Sequence, residues 1–267
     1  MIITAGPSTR IDDAFATGLR AAVANGELSL VYQPEVDLLT GRIAAVEALV
    51  RWQHPEFGEL GPEWFISLAE RSDLIYLVGG WVIDASIATL ASWNAALPGL
   101  DVTMRINISP TQAIGDDIAT PIAAALDRHG VPGRQVCIEL TENVPFGDVQ
   151  EVADALRRLK ALGVSSAIDD LATGYSALSH LRSLPVDFVK VDRSLVSDID
   201  TDRRAQTIVI ALIGLAMNFG LGVIAEGVET EGEAAMLLQL GCTRAQGHHL
   251  GRPMAAEAVA ELLRAQR

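Results

Sequence analysis

Residues Ser29–Val50 read SLVYQPEVDLLTGRIAAVEALV, and this stretch decides the fold. It holds two apolar, strand-like runs, Ser29–Gln33 and Ile43–Val50. Only nine residues lie between Gln33 and Ile43, among them Pro34 and the turn-like pair Thr40-Gly41. A parallel crossover needs about a dozen or more residues, usually with a helix. The two strands are therefore expected to pair antiparallel.

Downstream, strand-like runs alternate with helical ones, the pattern of βα units around a parallel sheet. Further strands are expected at Val102–Ile108, Gln135–Leu140, Ser165–Asp169, Val186–Val191, Leu221–Glu226 and Thr243–Gln246. Helices are expected at Glu63–Glu70, Leu74–Ala96, Thr111–His129, Val149–Leu162, Ala205–Phe219 and Glu231–Leu240. Gly163 follows Leu162 as a helix-stopping residue, and Thr230 with Glu233 forms a capping-box pattern. Trp64-Phe65 and Leu68, at helical spacing, read as core. Eight strands with intervening helices predict an α/β fold: a closed, TIM-like (β/α)8 barrel, modified by its antiparallel first strand pair. The length of 267 residues suits one such barrel, because barrels of roughly 250 residues form single domains. Residues 1–10 read as a short polar leader and residues 11–267 as the barrel.

The 34 acidic and 20 basic side chains give a formal net charge of −14, while 49% of residues are hydrophobic. So much apolar side chain excludes disorder. The acidity argues against a protein that coats duplex nucleic acid or an anionic membrane, since both need a basic surface. A small anionic ligand held through metal ions remains compatible with it. Cys137 and Cys242 are the only cysteines and form no CxxC pair, which points to a reducing compartment. Met1–Arg10 lacks the basic and apolar regions of a signal peptide. Ala205–Ala225 carries no charge over 21 residues, but Asn218, Gly220 and Gly222 interrupt it. A buried helix running into a buried strand explains these letters better than a membrane span. A cytoplasmic protein without membrane insertion is expected.

The chemistry lies in what ends each strand. Val46 leads to Glu47, Ile106 to Asn107, Ile138 to Glu139, Ile168 to Asp169-Asp170, Val189 to Lys190, Ala225 to Glu226 and Ala245 to Gln246. The C-terminal ends of barrel strands converge on one mouth, where active sites sit. Taken singly, a strand-ending acid is more often a helix cap or a solvated turn residue. Seven converging on one mouth are poorly explained that way. Carboxylates and an amide, without cysteine or histidine, suit hard cations such as Mg2+ or Mn2+. Adjacent Asp169 and Asp170 could flank two ions, and paired metals about 4 Å apart favour in-line phosphoryl displacement. Lys190 is one of only two lysines and sits inside an apolar strand, so it needs anionic partners.

Glu47-Ala48-Leu49-Val50-Arg51-Trp52 resembles the signature of the EAL domain, the family of cyclic-di-GMP phosphodiesterases. The resemblance runs from about Leu28 to Pro253. It is carried further by Tyr32-Gln33-Pro34, Asn107-Ile108-Ser109, Glu139-Leu140-Thr141-Glu142, Asp169-Asp170-Leu171-Ala172-Thr173-Gly174, Lys190-Val191-Asp192-Arg193, Ala225-Glu226-Gly227-Val228-Glu229 and Gln246-Gly247. It implies a modified (β/α)8 barrel with one reversed strand. It also implies hydrolysis of cyclic di-GMP to linear pGpG by two-metal-assisted in-line attack of water.

By this resemblance Glu47, Asn107, Glu139 and Asp169 ligate one Mg2+ or Mn2+. Asp169 bridges to a second ion, which Asp170 binds and Glu226 approaches, and Ca2+ inhibits. Lys190 orients the nucleophilic water or stabilises phosphoryl charge. Gln33, Leu49, Arg51 and Gln246 contact the ligand. Glu142 braces the loop after Asp169-Asp170, Asp192 supports the site from behind, and the partner is a second copy in a homodimer. Two departures stand out: Ala172 occupies a position usually held by glycine, and His248-His249 replace a common aromatic. Those histidines read as exposed polar residues near the mouth or as purine contacts. The alternative reading is a catalytically silent EAL module that binds cyclic di-GMP or a protein.

Overall fold

The structure, a computed structural model, describes residues 7–115, 118–141, 148–171 and 183–266, without the side chains of 7–14, 115, 141, 170 and 171. Strands β1 (Leu28–Asp37) and β2 (Arg42–His54) form the expected antiparallel hairpin, with Gln33 opposite Glu47. The turn is made locally. Asp37 Oδ1 accepts from the backbone N–H groups of Leu39 at 3.0 Å and Thr40 at 2.9 Å, and Gly41 takes φ +70°. An aspartate that caps its own turn and a glycine at positive φ reverse the chain at little steric cost.

A short strand β3 (Gly58–Leu60) extends this hairpin by pairing with the far end of β2. Strands β4 (Thr103–Ile108), β5 (Val136–Thr141), β6 (Ser165–Leu171), β7 (Phe188–Val191), β8 (Gly222–Ala225) and β9 (Arg244–Gln246) then follow in parallel order from β2. β9 pairs antiparallel with β1 and closes the ring. The barrel thus has eight strands, of which β1 alone runs backwards, and β3 is an addition outside it.

Around the barrel lie α1 (Pro7–Asn25), α2 (Ile66–Arg71), α3 (Leu74–Ala96), α4 (Pro110–Gly115), α5 (Ala119–His129) and α6 (Val149–Ala161). Further on come α7 (Arg193–Val196), α8 (Arg203–Asn218), α9 (Glu231–Gln239) and α10 (Ala256–Ala265). Gly163 takes φ +81° after α6, and Thr230 and Glu233 make the reciprocal capping box at α9. The main apolar core fills the space between barrel and helices. Ile106, Ile138, Ile168 and Val189 point outward from the strands toward helix residues such as Ile87, Leu90, Ile122 and Leu156.

Several expectations are corrected. The run Thr111–His129 is divided between α4 and α5. α1 spans residues 7–10, which read as leader, and α1 and α10 were not among the expected helices. Phe65 and Leu68 are buried as expected, but Trp64 is 67% exposed because it ends a one-turn 3-10 helix (Pro62–Trp64) on the outer side. The uncharged stretch 205–225 is indeed a helix followed by a strand, yet α8 is not fully buried. Its inner stripe of Ala205, Val209, Ile213 and Ala216 packs inward, whereas Ile208, Ile210 and Met217 face out. A helix on the outside of a barrel has only one layer to bury against. Among the described residues α3 alone is long and apolar enough to cross a membrane, and half of that window is buried in the protein.

Candidate active site

Side chains alternate between the two faces of a strand, so residues two apart share a face. Neighbouring strands in register therefore aim matched residues at the barrel axis. Gln33 pairs with Glu47, Glu47 with Arg105, Asn107 with Glu139, and Glu35 with Gln246. This places Gln33 and Glu35, Glu47, Arg105 and Asn107, Cys137 and Glu139, Asp169, Lys190, and Gln246 on the inner face. Glu226 follows directly after β8.

Lys190, fully buried, is the centre of this group. Its Nζ lies 2.6 Å from Glu226 Oε1, 2.8 Å from Glu139 Oε2, 3.4 Å from Asp169 Oδ2 and 3.7 Å from Glu47 Oε2. Burial alone would push the ammonium toward neutrality, but Glu139, Glu47, Glu226 and Asp169 outweigh it and hold the pKa well above the usual lysine value. Burial pushes the Glu139 carboxyl up to about 7, against the attraction of Lys190. Burial likewise raises Glu226 well above the usual carboxylate range. Glu47 is different. It is buried too, but Lys190 and two amide donors more than offset that and hold its pKa below the ordinary value. Asn107 Nδ2 donates to Glu47 Oε1 at 2.6 Å, and Gln246 Nε2 donates to Glu47 Oε2 at 2.6 Å. Gln246 Nε2 also donates to Gln33 Oε1 at 3.1 Å, which ties the reversed strand to the site.

The structure thus brings Gln33, Glu47, Asn107, Glu139, Asp169, Lys190, Glu226 and Gln246 together. Glu47 does not end its strand as expected. β2 continues to His54 because β1 and β3 go on pairing with it beyond the barrel rim. Leu49 and Arg51 stand on that extension, where Arg51 Nη1 donates to the Val50 carbonyl at 2.8 Å and its Nε lies 3.9 Å from Glu59 Oε1. Asp192 caps α7 by accepting from the Ser194 N–H at 2.9 Å. Asp170 lies at an irregularity of β6, where the register against β7 shifts between Ile168 and Leu171, and its side chain is outside the described residues. Glu142, Ala172, Thr173 and Gly174 are outside them as well.

Two cavities flank the hydrogen-bonded pair Glu47–Asn107. One, of about 240 Å³, is lined by Gln33, Glu47, Arg193, Glu226, Gln246 and His248. The other, of about 510 Å³, is bordered by Leu49, Glu70, Val82, Asn107, Ser109 and Gln112. At the first, Arg193 Nη2 is 2.7 Å from Glu229 Oε1. His248 is exposed there, as expected, and its Nδ1 is 3.4 Å from Arg252 Nη1.

The donor set suits a hard divalent cation. Four carboxylates share one ammonium, the remaining donors are amide oxygens, and Gln246 Oε1 is buried with no hydrogen-bond partner among the described residues. Among the described residues no three acidic, histidine or cysteine side chains surround a common point as metal ligands do, for here they surround the Lys190 ammonium.

Sequence reasoning missed Glu35 and Arg105, both fully buried in the barrel interior beneath this cluster. The signal was available. Each lies two residues from an expected site residue, Gln33 or Asn107, and so shares its face. Cys137 belongs to the same polar interior, where burial pushes its thiol up to about 11.

A barrel with one reversed strand and this rim of carboxylates, amides and a buried lysine defines the class: the chain belongs to the EAL domain family. The family profile, described as EAL domain, matches residues 17–253. The chain is 43% identical over 249 residues to an uncharacterized protein of Mycobacterium tuberculosis, covering 93% of this chain and 40% of that one. It is 36% identical over 249 residues to a cyclic di-GMP phosphodiesterase of Pseudomonas aeruginosa, covering 93% of this chain and 42% of that one. The chain therefore spans about 40% of the length of these curated relatives. Among solved structures, the MucR phosphodiesterase in complex with c-di-GMP superposes with a TM-score of 0.86 at 36% identity, covering 92% of this chain and 99% of that one.

Proposed function

We propose that this protein hydrolyses one phosphodiester bond of cyclic di-GMP to give linear pGpG. The observation that carries this reading is the Lys190 ammonium set among Glu47, Glu139, Asp169 and Glu226 at the barrel mouth. Two cavities on either side of the Glu47–Asn107 pair support a ligand with two lobes. The likeness to a cyclic di-GMP phosphodiesterase and to a c-di-GMP complex supports the same substrate.

Glu47, Asn107, Glu139 and Asp169 would hold one Mg2+ or Mn2+, and Asp169 and Asp170 a second, which Glu226 would approach. When bound, the ions would polarise the phosphoryl group and ease deprotonation of water. The protein's own groups have separable tasks. Lys190 stays protonated, so it acts as a donor to phosphoryl oxygen or to the attacking water, never as the base. Glu226, 2.6 Å from Lys190 Nζ and bordering the mouth cavity, would in its ionised form accept the proton of that water. Gln33 and Gln246 fix Glu47, and Leu49 and Arg51 present the ligand-facing edge of β2. Glu142 would brace the loop after Asp170, and Asp192, through its cap of α7, would support Lys190 from the adjoining turn. In a protein of net charge −14, these cations and ions allow a dianionic substrate to approach.

The partner we propose is a second copy of this chain, in a homodimer. Light scattering on the purified protein tests that homodimer, and a monomer at micromolar concentration would count against it. For the activity, incubation with cyclic di-GMP and Mg2+ or Mn2+ followed by chromatography should yield pGpG. Binding of cyclic di-GMP without product would establish the silent module instead.

A further inference from the structure

Below the rim cluster the barrel interior holds a second tier of charge that the proposed chemistry does not use. Arg105 Nε donates to Glu35 Oε2, and Arg105 Nη1 lies 3.4 Å from Glu139 Oε1 and 3.1 Å from Cys137 Sγ. Arg244 Nη1 reaches the other oxygen of Glu35 at 3.2 Å. The guanidinium of Arg105 also lies over the Phe188 ring, 5.0 Å from its centroid. That ring fits there because residue 222 is glycine: a Cβ on it would be 2.5 Å from Phe188 Cδ1. Arg105 is therefore gripped at one end by a carboxylate and on one face by an aromatic ring, so its fork has one orientation.

Glu139 is held from both sides as a result. Its Oε1 faces Arg105 from below, and its Oε2 faces Lys190 and the rim at 2.8 Å. A carboxylate held by one oxygen cannot rotate freely, and partners behind a metal ligand set its aim and affinity. We propose that Arg105, anchored by Glu35, is a positioning residue for Glu139 that sets the divalent-cation affinity of the site. This rests on the reading that Glu139 is a ligand.

The test replaces the pair together, as Glu35→Gln with Arg105→Met. One positive and one negative charge are removed, so the net charge of the interior is unchanged, and Arg244, which loses Glu35 as a partner, is 34% exposed and keeps access to water. Mn2+ affinity is then read by titration of the protein without substrate, alongside wild type, Glu139→Gln and Arg105→Lys. The double variant should bind Mn2+ about 10–100-fold more weakly, and its turnover should recover at saturating Mn2+, which a merely structural defect would not do. Arg105→Lys, which keeps the charge but loses the fork, should weaken binding to a lesser degree. It also serves if the double variant fails to fold.

Unchanged Mn2+ affinity in the double variant, or in Arg105→Lys where only that variant folds, overturns the inference while leaving the metal site intact. Wild type that binds no Mn2+, or Glu139→Gln that binds as wild type does, overturns the underlying reading and the inference with it.

Discussion

Lys190 Nζ donates to Glu139 Oε2 across 2.8 Å, and neither side chain reaches solvent. An ammonium and a carboxylate buried together stabilise only while both remain, because either alone is left as an uncompensated charge. The site's assembly and its response to pH turn on this pair.

Lys190→Met should destabilise the protein held in EDTA by about 3–5 kcal/mol, since four carboxylates would crowd a space with no ammonium. Added Mn2+ should restore part of that loss, while hydrolysis stays abolished. Urea unfolding with and without Mn2+ measures this. An unchanged midpoint in EDTA would remove Lys190 from the centre of the site.

Glu47→Ala and Asp169→Ala should each abolish hydrolysis in a folded barrel. Glu47→Ala carries an added cost of about 1–3 kcal/mol, because Asn107 Nδ2 loses its acceptor and Gln246 Nε2 keeps only Gln33 Oε1. Near-wild-type turnover of either variant at saturating metal would disprove the proposed ligand set.

Ca2+ should compete with Mg2+ or Mn2+ and inhibit. Its longer bonds and looser coordination suit an in-line displacement poorly. Robust turnover with Ca2+ as the sole divalent ion would contradict the two-metal reading.

The metal-free protein should lose stability as pH rises. Burial raises the folded-state pKa of Glu139 from 4.5 to about 7, so the folded state holds that proton more tightly than the unfolded chain does. The stabilisation is full below the unfolded value of 4.5 and is lost as pH rises through 7, on the order of 3 kcal/mol. Glu226, also raised, acts in the same direction, whereas Glu47, lowered, contributes stability that is lost only in stronger acid. Thermal unfolding in EDTA from pH 4.5 to 8 should show the decline, and Glu139→Gln should lessen it, leaving the share that Glu226 contributes. Stability that rises over this range would refute the assignment.

Much of this architecture was legible in the letters because its causes are local. Nine residues between Gln33 and Ile43 are too few for a crossover, so the antiparallel start followed from chain geometry. The inward face of each strand followed from side-chain alternation, which brought Glu47, Asn107, Glu139, Lys190 and Gln246 to one axis. What stands opposite what was decided only by closure of the barrel. Arg105 and Glu35 are 70 residues apart and meet because β1 runs backwards beside β9 while β4 joins β2 on its other edge. The exposure of Trp64 and of the outer face of α8 was likewise undetermined, since an apolar side chain is buried only where a second layer covers it, and the chain's local pattern does not say where that layer ends. The sequence by itself determined which side chains turn toward the axis. Only the tertiary structure decided that Lys190 sits among four carboxylates with Arg105 beneath it, because those contacts join strands whose register is set by closure of the ring.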